Sequence, residues 1–360
     1  MNETEKKIYD WLCDEESKEI YEARSRFEET YDYRYIQEYI DKYAPMYSER
    51  KWLYLSDDLK ECLSRYAGIV VAGVGQRGKA LIRMLREAGF PVVKAVDNGA
   101  GDGYFWEDIE VIKPEKADYA NRCVLVSLSE RGVSEQIAEQ ISTLGVPKGN
   151  IYLLVDYVYP AEEDSQNTYF DGEILKYGES EIFVDCGACD LETSVRFFEE
   201  CREHRVEQIS VYAFEPDREN YQECTKRLEG LKASGVNVQL FCAGTWSENK
   251  QLSFASGNGA ASKVQENREG LDKIEVVALD SVIPGKVTFI KMDIEGAELE
   301  ALKGAKHLIQ TYHPKLAICI YHKPEDLTEI PLYIKSLVPD YKLYVRHYSN
   351  NTGELVLYAV

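Results

Sequence analysis

The spacing of apolar positions divides the chain into three regions. Up to about residue 62, aromatic and aliphatic residues recur every three or four positions among charged ones, which is typical of amphipathic helices. From 63 to 158, and again from 170 to 360, short continuous apolar runs alternate with helical patterns. Such alternation predicts parallel strands joined by helices. We therefore expect an α/β protein with two doubly wound domains after an N-terminal helical segment.

The first α/β region, residues 63–158, has a glycine-rich turn between a strand and a helix. Ile69–Val71 is followed by Gly73, Gly75 and Gly78 in the order G-x-G-x-x-G, and Asp97 ends the next strand. In Rossmann-like sites such glycines let a phosphate approach the backbone, and an acid about 20 residues later binds a ribose hydroxyl. This motif alone is weak. The region is therefore either a second nucleotide site or a scaffold that binds no nucleotide.

Two cations in the first region are candidates to contact a phosphate. Arg77 and Lys79 lie within or next to the glycine-rich turn. A nicotinamide-dependent oxidoreductase centred on Gly73–Asp97 is therefore one hypothesis for the whole chain, with NAD(P) as its cofactor. A non-catalytic nucleotide-binding scaffold is another.

Acidic residues end successive strands of the second α/β region, residues 170–360. Asp185 ends the strand of EIFVDCGA and precedes Gly187 and Ala188, which lead into a helix, and Glu215 ends the next strand. Small residues let a ligand approach the backbone, and the following helix offers free N–H groups. A carboxylate can accept both hydrogen bonds of a ribose diol. The two acids together predict a site for an adenosine-bearing ligand.

A third acidic group and a terminal hairpin narrow the class of protein. Asp293 ends the strand of FIKMD, and Glu295 and Glu298 follow it at a helix start. The chain closes with two β runs joined by the Asn- and Gly-containing turn Ser349–Gly353, which predicts a hairpin. A parallel sheet that ends in an antiparallel hairpin is rare among dinucleotide dehydrogenases and typical of Rossmann-like S-adenosylmethionine methyltransferases.

The motifs VDCGA, AFEPD, VVALDSVI, FIKMDIEGAELEALKGA and YHKPEDL occur in this order. With them the C-terminal region, about residues 170–360, resembles the FkbM family of methyltransferases. The run D-x-E-G-x-E followed by L-x-G-A is the most specific mark of that family. The resemblance implies a methyltransferase fold and methyl transfer from S-adenosylmethionine, usually to a hydroxyl oxygen of a sugar, another glycan or a polyketide.

The resemblance also implies roles for single residues. The turn after the first strand should line the methionine end of the cofactor, Glu215 should hold the ribose, and a third strand end should lie near the adenine. Asp293 should lie at the mouth of the site, near the transferred methyl group. The implied cofactor-binding residues are Asp185, Gly187, Ala188, Glu215, Ala243, Gly244 and Asp293.

His322, before KPEDL, is the candidate general base, with Asp293 as the alternative. An alcohol must lose its proton as it attacks the methyl carbon, and an imidazole near its ordinary pKa suits that task. Glu295 and Glu298 could instead only organise the loop and the helix start. The same acids could hold a divalent ion, but the sequence favours that reading less, and we predict no metal site.

Leu191 departs from the pattern of the FkbM family. Its relatives commonly have a glycine three positions after the alanine of the turn, where this chain has Leu191. A leucine there could crowd the cofactor, so the strength of cofactor binding is the open question. Cys186 and Cys189 could suggest a metal or redox pair, but no second C-x-x-C and no histidine pair accompany them, so we expect ordinary thiols.

Composition and charge limit the partners. The formal net charge of -21 argues against nucleic acid, because phosphate binding needs a basic surface. The start of the chain is acidic rather than signal-like, and no apolar run is long enough to span a membrane. Without a signal, the nine scattered cysteines are expected to be reduced thiols in the cytoplasm. We expect a small-molecule or glycan acceptor as partner, and the sequence leaves a homodimer open.

Overall fold

The computed structural model describes residues 1–164, 167–255, 263–265 and 272–360, and the chain folds into two compact units. Unit 1 consists of Met1–Glu22, Asp164–Tyr348 and Gly353–Val360, and unit 2 of Ala23–Glu163 and Ser349–Thr352. The N-terminal helical segment therefore contributes to both units. The loop Leu252–Gly270, a sequence candidate for a wall of the pocket, lies largely outside the described residues.

Amphipathic helices form the N-terminal segment, as the apolar spacing predicts. Asn2 and Glu5 form a reciprocal capping box at the first helix, and the Ser56 side chain accepts a hydrogen bond from the Leu59 N–H at the last one. Within unit 1, Ser17 Oγ accepts a hydrogen bond from the Val345 N–H at 2.9 Å, so the first residues pack on the terminal hairpin. The helices are α1 (Glu3–Trp11), α2 (Glu15–Thr30), α3 (Arg34–Tyr43) and α4 (Asp57–Leu63).

Unit 2 contains a twisted α/β sheet. Its strands are β1 (Ile69–Ala72), β2 (Val92–Val96), β3 (Phe105–Trp106), β4 (Ile109–Ile112), β5 (Cys123–Val126) and β6 (Ile151–Leu153), and its helices are α5 (Gln76–Glu87) and α6 (Arg131–Thr143). The strand order is β3-β4-β2-β1-β5-β6, with every pair parallel except β3–β4. Both β1 and β5 are buried along their whole length, which explains their uninterrupted apolar sequence. The short β3 and β4 were not predicted from the sequence.

Unit 1 has a large and a small sheet. The strands are β7 (Ser180–Cys186), β8 (Gln208–Phe214), β9 (Asn237–Phe241), β10 (Gly244–Thr245), β11 (Lys250–Ala255), β12 (Lys263–Gln265), β13 (Asp272–Val277), β14 (Phe289–Met292), β15 (Lys315–Cys319), β16 (Leu343–His347) and β17 (Leu355–Ala359). The helices are α7 (Glu192–Glu203), α8 (Arg218–Ala233), α9 (Leu279–Val282), α10 (Glu298–Gly304), α11 (Lys306–Tyr312) and α12 (Asp326–Leu337). The small sheet, of order β10-β13-β11-β12, was not predicted.

The seven-stranded sheet of unit 1 has the order β16-β17-β15-β14-β7-β8-β9. Strands β14, β15 and β7 to β9 are parallel, and the antiparallel hairpin β16–β17 closes the sheet beside β15, which confirms the predicted fold class. Cys186 pairs with Met292 on one side and with Phe214 on the other, and Phe214 pairs with Phe241. The carboxyl ends of these strands therefore meet at one edge.

Aromatic side chains fill the core beneath that edge. Phe183 and Phe197 stack with their ring centroids 4.4 Å apart, and Phe289 lies 5.2 Å from Phe183. All three are fully buried, so the strand and helix that flank the candidate cradle are anchored from below. Among the described residues, no helix is long and apolar enough to cross a membrane.

Candidate functional site

The turn after β7 is pressed against the end of β14. Gly187 has φ +80°, and a Cβ added to it would come within 1.9 Å of the Asp293 carbonyl oxygen. Only glycine fits both the conformation and the space. The N–H groups of Gly187 and Ala188 donate to the Phe214 carbonyl at 3.1 and 3.0 Å. The turn is thus held between the strand ends on both sides.

Glu215 links this turn to the end of β8. One carboxylate oxygen accepts a hydrogen bond from the Cys189 N–H at 2.8 Å, and the other accepts one from the Asp217 N–H at 2.8 Å. The residue is only 5% exposed, and burial raises the pKa of its carboxyl to about 7, although the backbone hydrogen bonds oppose that shift. Each oxygen keeps a second lone pair for a ligand hydroxyl.

Asp185 is paired beneath the turn. Its side chain is fully buried, where Oδ2 accepts a hydrogen bond from Ser194 Oγ at 2.7 Å and Oδ1 lies 3.2 Å from Lys291 Nζ. Lys291 also donates to the Gly187 carbonyl at 2.7 Å. Asp185 therefore acts on the turn through a buried ion pair. In the sequence, the only sign of this ion pair is the single lysine within the apolar strand FIKM.

Lys291 is charged despite its burial. Burial alone would lower the pKa of the ammonium, but the charges of Asp185 and Asp293 outweigh it and hold the pKa above its ordinary value. A buried pair of this kind is costly to break, because removal of one partner leaves an uncompensated charge. The ion pair therefore fixes the floor of the cradle.

Leu191 adopts the conformation for which glycine is usual. It has φ +68° and precedes the first residue of α7, and its N–H donates to the Ala188 carbonyl at 2.7 Å. Its side chain is fully buried in the same hydrophobic cluster as Phe183 and Phe197. The leucine side chain therefore packs into the core beneath the turn. This placement requires a left-handed backbone conformation, which is unfavourable for a residue with a side chain.

Ala243 and Gly244 lie where β9 gives way to β10. Both are buried, and the Glu215 N–H donates to the Phe241 carbonyl at 3.1 Å just before them. A Cβ at Gly244 would lie 3.2 Å from the Val276 side chain, so this position is close-packed against β13. The structure thus brings the third expected strand end beside the first two.

Asp293 and His322 come together at the end of β14, with acids around them. His322 Nε2 lies 3.4 Å from Asp293 Oδ1 and 3.8 Å from Glu295 Oε1, and His322 Nδ1 lies 3.0 Å from Glu298 Oε1. Neither ring nitrogen has the alignment of a hydrogen bond. His322 is 4% exposed and Glu298 is fully buried, whereas 24% of the Asp293 side chain is exposed. Asp293 is thus the most accessible of the three.

Charge rather than solvent sets the ionisation of this cluster. Burial lowers the pKa of His322, but the contact with Glu298 and the charges of Asp293 and Glu295 raise it to about 9. Burial raises the pKa of Asp293, but the charges of His322 and Lys291 outweigh it, so the pKa stays below its ordinary value. His322 is not the near-neutral imidazole that the sequence suggested, because its acidic neighbours favour the imidazolium.

Two tyrosines that the sequence analysis missed complete this cluster. Tyr169 donates to Asp293 Oδ2 at 2.7 Å, and Tyr321 donates to Asp293 Oδ1 at 3.4 Å and to Glu354 Oε1 at 3.2 Å. Tyr169 precedes the first strand of the domain and Glu354 follows the hairpin turn. Only the folded sheet brings such distant positions together, so the sequence carried no usable signal for them.

The glycine-rich turn of unit 2 has the expected local geometry. Gly73 has φ +90°, and a Cβ at Gly78 would come within 2.0 Å of the Gly73 carbonyl oxygen, while Gly75 has open space around it. The Asp97 carboxylate accepts hydrogen bonds from the N–H groups of Val74 and Gly99, both at 2.8 Å. The four predicted residues, Gly73, Gly75, Gly78 and Asp97, therefore do lie together where the neighbouring strands β1 and β2 end.

Other features of unit 2 do not suit a dinucleotide. The cavity beside the turn measures about 130 Å³, well below the ~300–1,000 Å³ of usual ligand pockets. It is lined by Ala72, Gly73, Val96, Asp97, Asn98, Pro114, Leu128 and Ile137. A whole dinucleotide would extend beyond this cavity.

The two cations expected at a phosphate are directed elsewhere. Arg77 donates to the carbonyls of Leu128 and Trp52 at 2.9 and 2.7 Å, and burial lowers its pKa to about 10. Lys79 donates to the Tyr31 hydroxyl at 3.2 Å. Both side chains therefore bind other groups of unit 2. In this structure Arg77 and Lys79 are not directed to the position expected for a phosphate.

Cys186 and Cys189 are free thiols, like the other seven cysteines. Cys186 is fully buried, and burial raises the pKa of its thiol to about 12, which makes a reactive thiolate unfavourable. The contribution of Cys189 to the site is its backbone N–H, which binds Glu215.

Comparison with known proteins bears on the C-terminal part of the chain. Residues 185–341 match the family described as Methyltransferase FkbM domain. The crystal structure of methyltransferase FkbM from Methylobacillus flagellatus KT is similar over 88% of this chain and 97% of its own, with 22% identity and a TM-score of 0.50, which indicates a shared fold. No curated protein matches.

Two further solved structures are similar over about half of this chain. A putative rRNA-methylase from Clostridium thermocellum has 13% identity and a TM-score of 0.33 over 50% of this chain and 84% of its own. A putative methyltransferase from Streptococcus mutans, solved in complex with SAH, has 14% identity and a TM-score of 0.31 over 50% of this chain and 88% of its own.

Proposed function

We propose that this chain is an S-adenosylmethionine-dependent O-methyltransferase, because residues 185–341 match the Methyltransferase FkbM domain family. Its acceptor would be a hydroxyl group of a sugar or glycan, modified in the cytoplasm during polysaccharide or natural-product biosynthesis. The observation that carries the proposal is the meeting of the Gly187–Cys189 turn, Glu215 and Asp293 at one sheet edge.

The residues at this edge fit the cofactor. Glu215 has lone pairs left for the ribose hydroxyls, and the turn from Gly187 to Ala188 offers a surface of small residues. Ala243 and Gly244 border the adenine side, and Asp293 borders the methionine side. Asp185 would contribute indirectly, through Lys291 and the turn. When bound, S-adenosylmethionine supplies an electrophilic methyl group on a sulfonium.

The chain's own task is then to hold the acceptor and remove its proton. Asp293 is partly exposed and lies against His322, so the two side chains form a polar corner at the carboxyl edge of β14. A hydroxyl bound there would donate its hydrogen bond to Asp293 Oδ1, and its proton would leave to that carboxylate. The His322 imidazolium has no free lone pair to accept the proton, so its part would be to orient Asp293. Alignment of the two reactants would supply most of the rate enhancement.

The first experiment is a ligand-dependent thermal shift. S-adenosylmethionine and S-adenosylhomocysteine should stabilise the protein, by about 2.7 kcal/mol at a hundredfold excess over Kd, whereas NAD and NADP should not. Transfer of label from S-adenosylmethionine to sugar-nucleotide and glycan acceptors then tests the reaction. His322→Asn should keep the shift and lower transfer by about 10²–10⁴-fold. Absence of a shift with both adenosyl ligands would overturn the proposal.

A further inference from the structure

The cluster around His322 carries more negative charge than one imidazolium can balance. Three carboxylates, those of Asp293, Glu295 and Glu298, lie within 3.8 Å of the ring. Lys291, the lysine of the adjoining strand, is paired with Asp185 beneath the turn. A group of this composition attracts a further cation.

Glu298 provides the most specific observation. Its side chain is fully buried at the first turn of α10, and Oε1 accepts a hydrogen bond from the Ile294 N–H at 2.9 Å. Oε2 is buried and has no hydrogen-bond partner. A buried carboxylate oxygen without a partner is costly, so the structure leaves a position that a cation would satisfy.

The geometry of the donors fits one ion. Asp293, Glu298 and His322 each offer a donor atom, and these three atoms lie within 4.8 Å of one another. Ligands at about 2.1 Å from a shared ion are up to about 4.2 Å apart, so small rotations of the side chains would close the site. Two carboxylates with one imidazole suit Mn²⁺ and comparable divalent ions.

We propose that Asp293, Glu298 and His322 bind a divalent metal ion at the carboxyl end of β14. The ion would replace the proton of the His322 imidazolium and would lie in the polar corner itself, within reach of the acceptor hydroxyl that is proposed to bind there. A coordinated hydroxyl loses its proton more readily, because the metal stabilises the oxyanion. This consequence for the reaction rests on the proposed function, whereas binding of the ion itself does not.

The test is a titration of the metal-free full-length chain with Mn²⁺, followed by electron paramagnetic resonance of the free ion. We expect one site per chain. Glu298→Gln and Asp293→Asn should each weaken binding at least about tenfold, since even loss of an outer partner of a metal ligand commonly costs ~10–100-fold. The matched control is Glu300→Gln on the same helix, whose carboxylate binds Ser247 and Lys303, and which should leave the affinity unchanged.

Two variants are used so that the test still holds if one of them does not fold, and circular dichroism shows which samples are folded. The metal site would be overturned if the wild type bound no stoichiometric Mn²⁺. It would also be overturned if Glu298→Gln and Asp293→Asn both bound Mn²⁺ as tightly as the wild type. Binding of S-adenosylhomocysteine, measured in EDTA, tests the cofactor cradle separately. A protein that binds the cofactor but no metal refutes only this inference, and one that binds metal but no cofactor refutes only the proposed function.

Discussion

The chain contains two strand–turn–helix segments that close in almost the same way. In unit 2, Asp97 accepts hydrogen bonds from the turn residue Val74 and from Gly99, two positions after itself. In unit 1, Glu215 accepts from the turn residue Cys189 and from Asp217, also two positions after itself. The acid after the second strand therefore has a structural task in both units, whether or not a ribose binds to it.

What differs is the surroundings of the two turns. In unit 1 a third strand end brings Asp293 against the turn, and a buried lysine fixes its floor. In unit 2 the nearby cations bind carbonyls and a tyrosine, and the cavity is small. A glycine turn with a following acid thus indicates a Rossmann-like fold, and the neighbouring strand ends decide whether a ligand fits.

The largest effect should come from filling the close backbone contact in each of the two turns. Gly187→Ala places a Cβ against the Asp293 carbonyl at φ +80°, and Gly78→Ala places one against the Gly73 carbonyl. Gly78→Ala should lower the free energy of unfolding by about 1–3 kcal/mol through overpacking, and Gly187→Ala by about 2–5 kcal/mol because backbone strain adds to the overpacking. Only Gly187→Ala should abolish binding of S-adenosylhomocysteine. Urea denaturation and calorimetric titration measure the two quantities.

Gly75→Ala is the control for these substitutions, because its Cβ would meet nothing within 4 Å. It should change the free energy of unfolding by no more than about 0.5 kcal/mol. Wild-type cofactor affinity in a folded Gly187→Ala protein would contradict the placement of the cofactor at this turn.

The second comparison replaces each of the two acids that bind a turn, Glu215 and Asp97, with its uncharged amide. Glu215→Gln should weaken S-adenosylhomocysteine binding by about 10–100-fold, since a hydrogen bond to a charged group contributes about 1.5–3 kcal/mol. Asp97→Asn, its counterpart in unit 2, should leave that affinity unchanged. Calorimetric titration of the two variants decides the matter, and a larger loss in Asp97→Asn would reverse the assignment of the units.

The pKa of Glu215 predicts a pH dependence with two opposite signs. Its folded pKa of about 7 lies above the ordinary value of 4.5, so the folded state retains the proton between these values and the free energy of unfolding falls as pH rises through this window. Ribose hydroxyls need the ionised carboxylate as acceptor, so cofactor affinity should instead rise about tenfold from pH 6 to pH 8. Both dependences should be weaker in Glu215→Gln, and an unchanged pH profile in that variant would exclude Glu215 as their source.

The sequence was sufficient for the order of strands and helices in the seven-stranded sheet of unit 1, but not for its small sheet, because apolar runs and turn residues are local signals. It was insufficient for the Lys291–Asp185 pair and for Tyr169, since these depend on which strands become neighbours. It also did not predict the surroundings of His322, because the three carboxylates that raise the pKa of this histidine come together only in the folded sheet. No single segment of the sequence shows which residues will be in contact across the sheet.

Among the substitutions at the turn of unit 1, the smallest effect on binding is expected at Leu191, the residue whose departure from the family pattern put cofactor binding in question. Leu191→Gly would relieve the left-handed backbone, worth about 1–2 kcal/mol, but would also remove a fully buried leucine, which commonly costs about 2–5 kcal/mol. The net loss of stability should be about 1–3 kcal/mol, measured by urea denaturation. Because the side chain points into the core and away from the turn surface, the affinity for S-adenosylhomocysteine should change less than about threefold. A marked gain in affinity would show instead that the leucine crowds the cofactor.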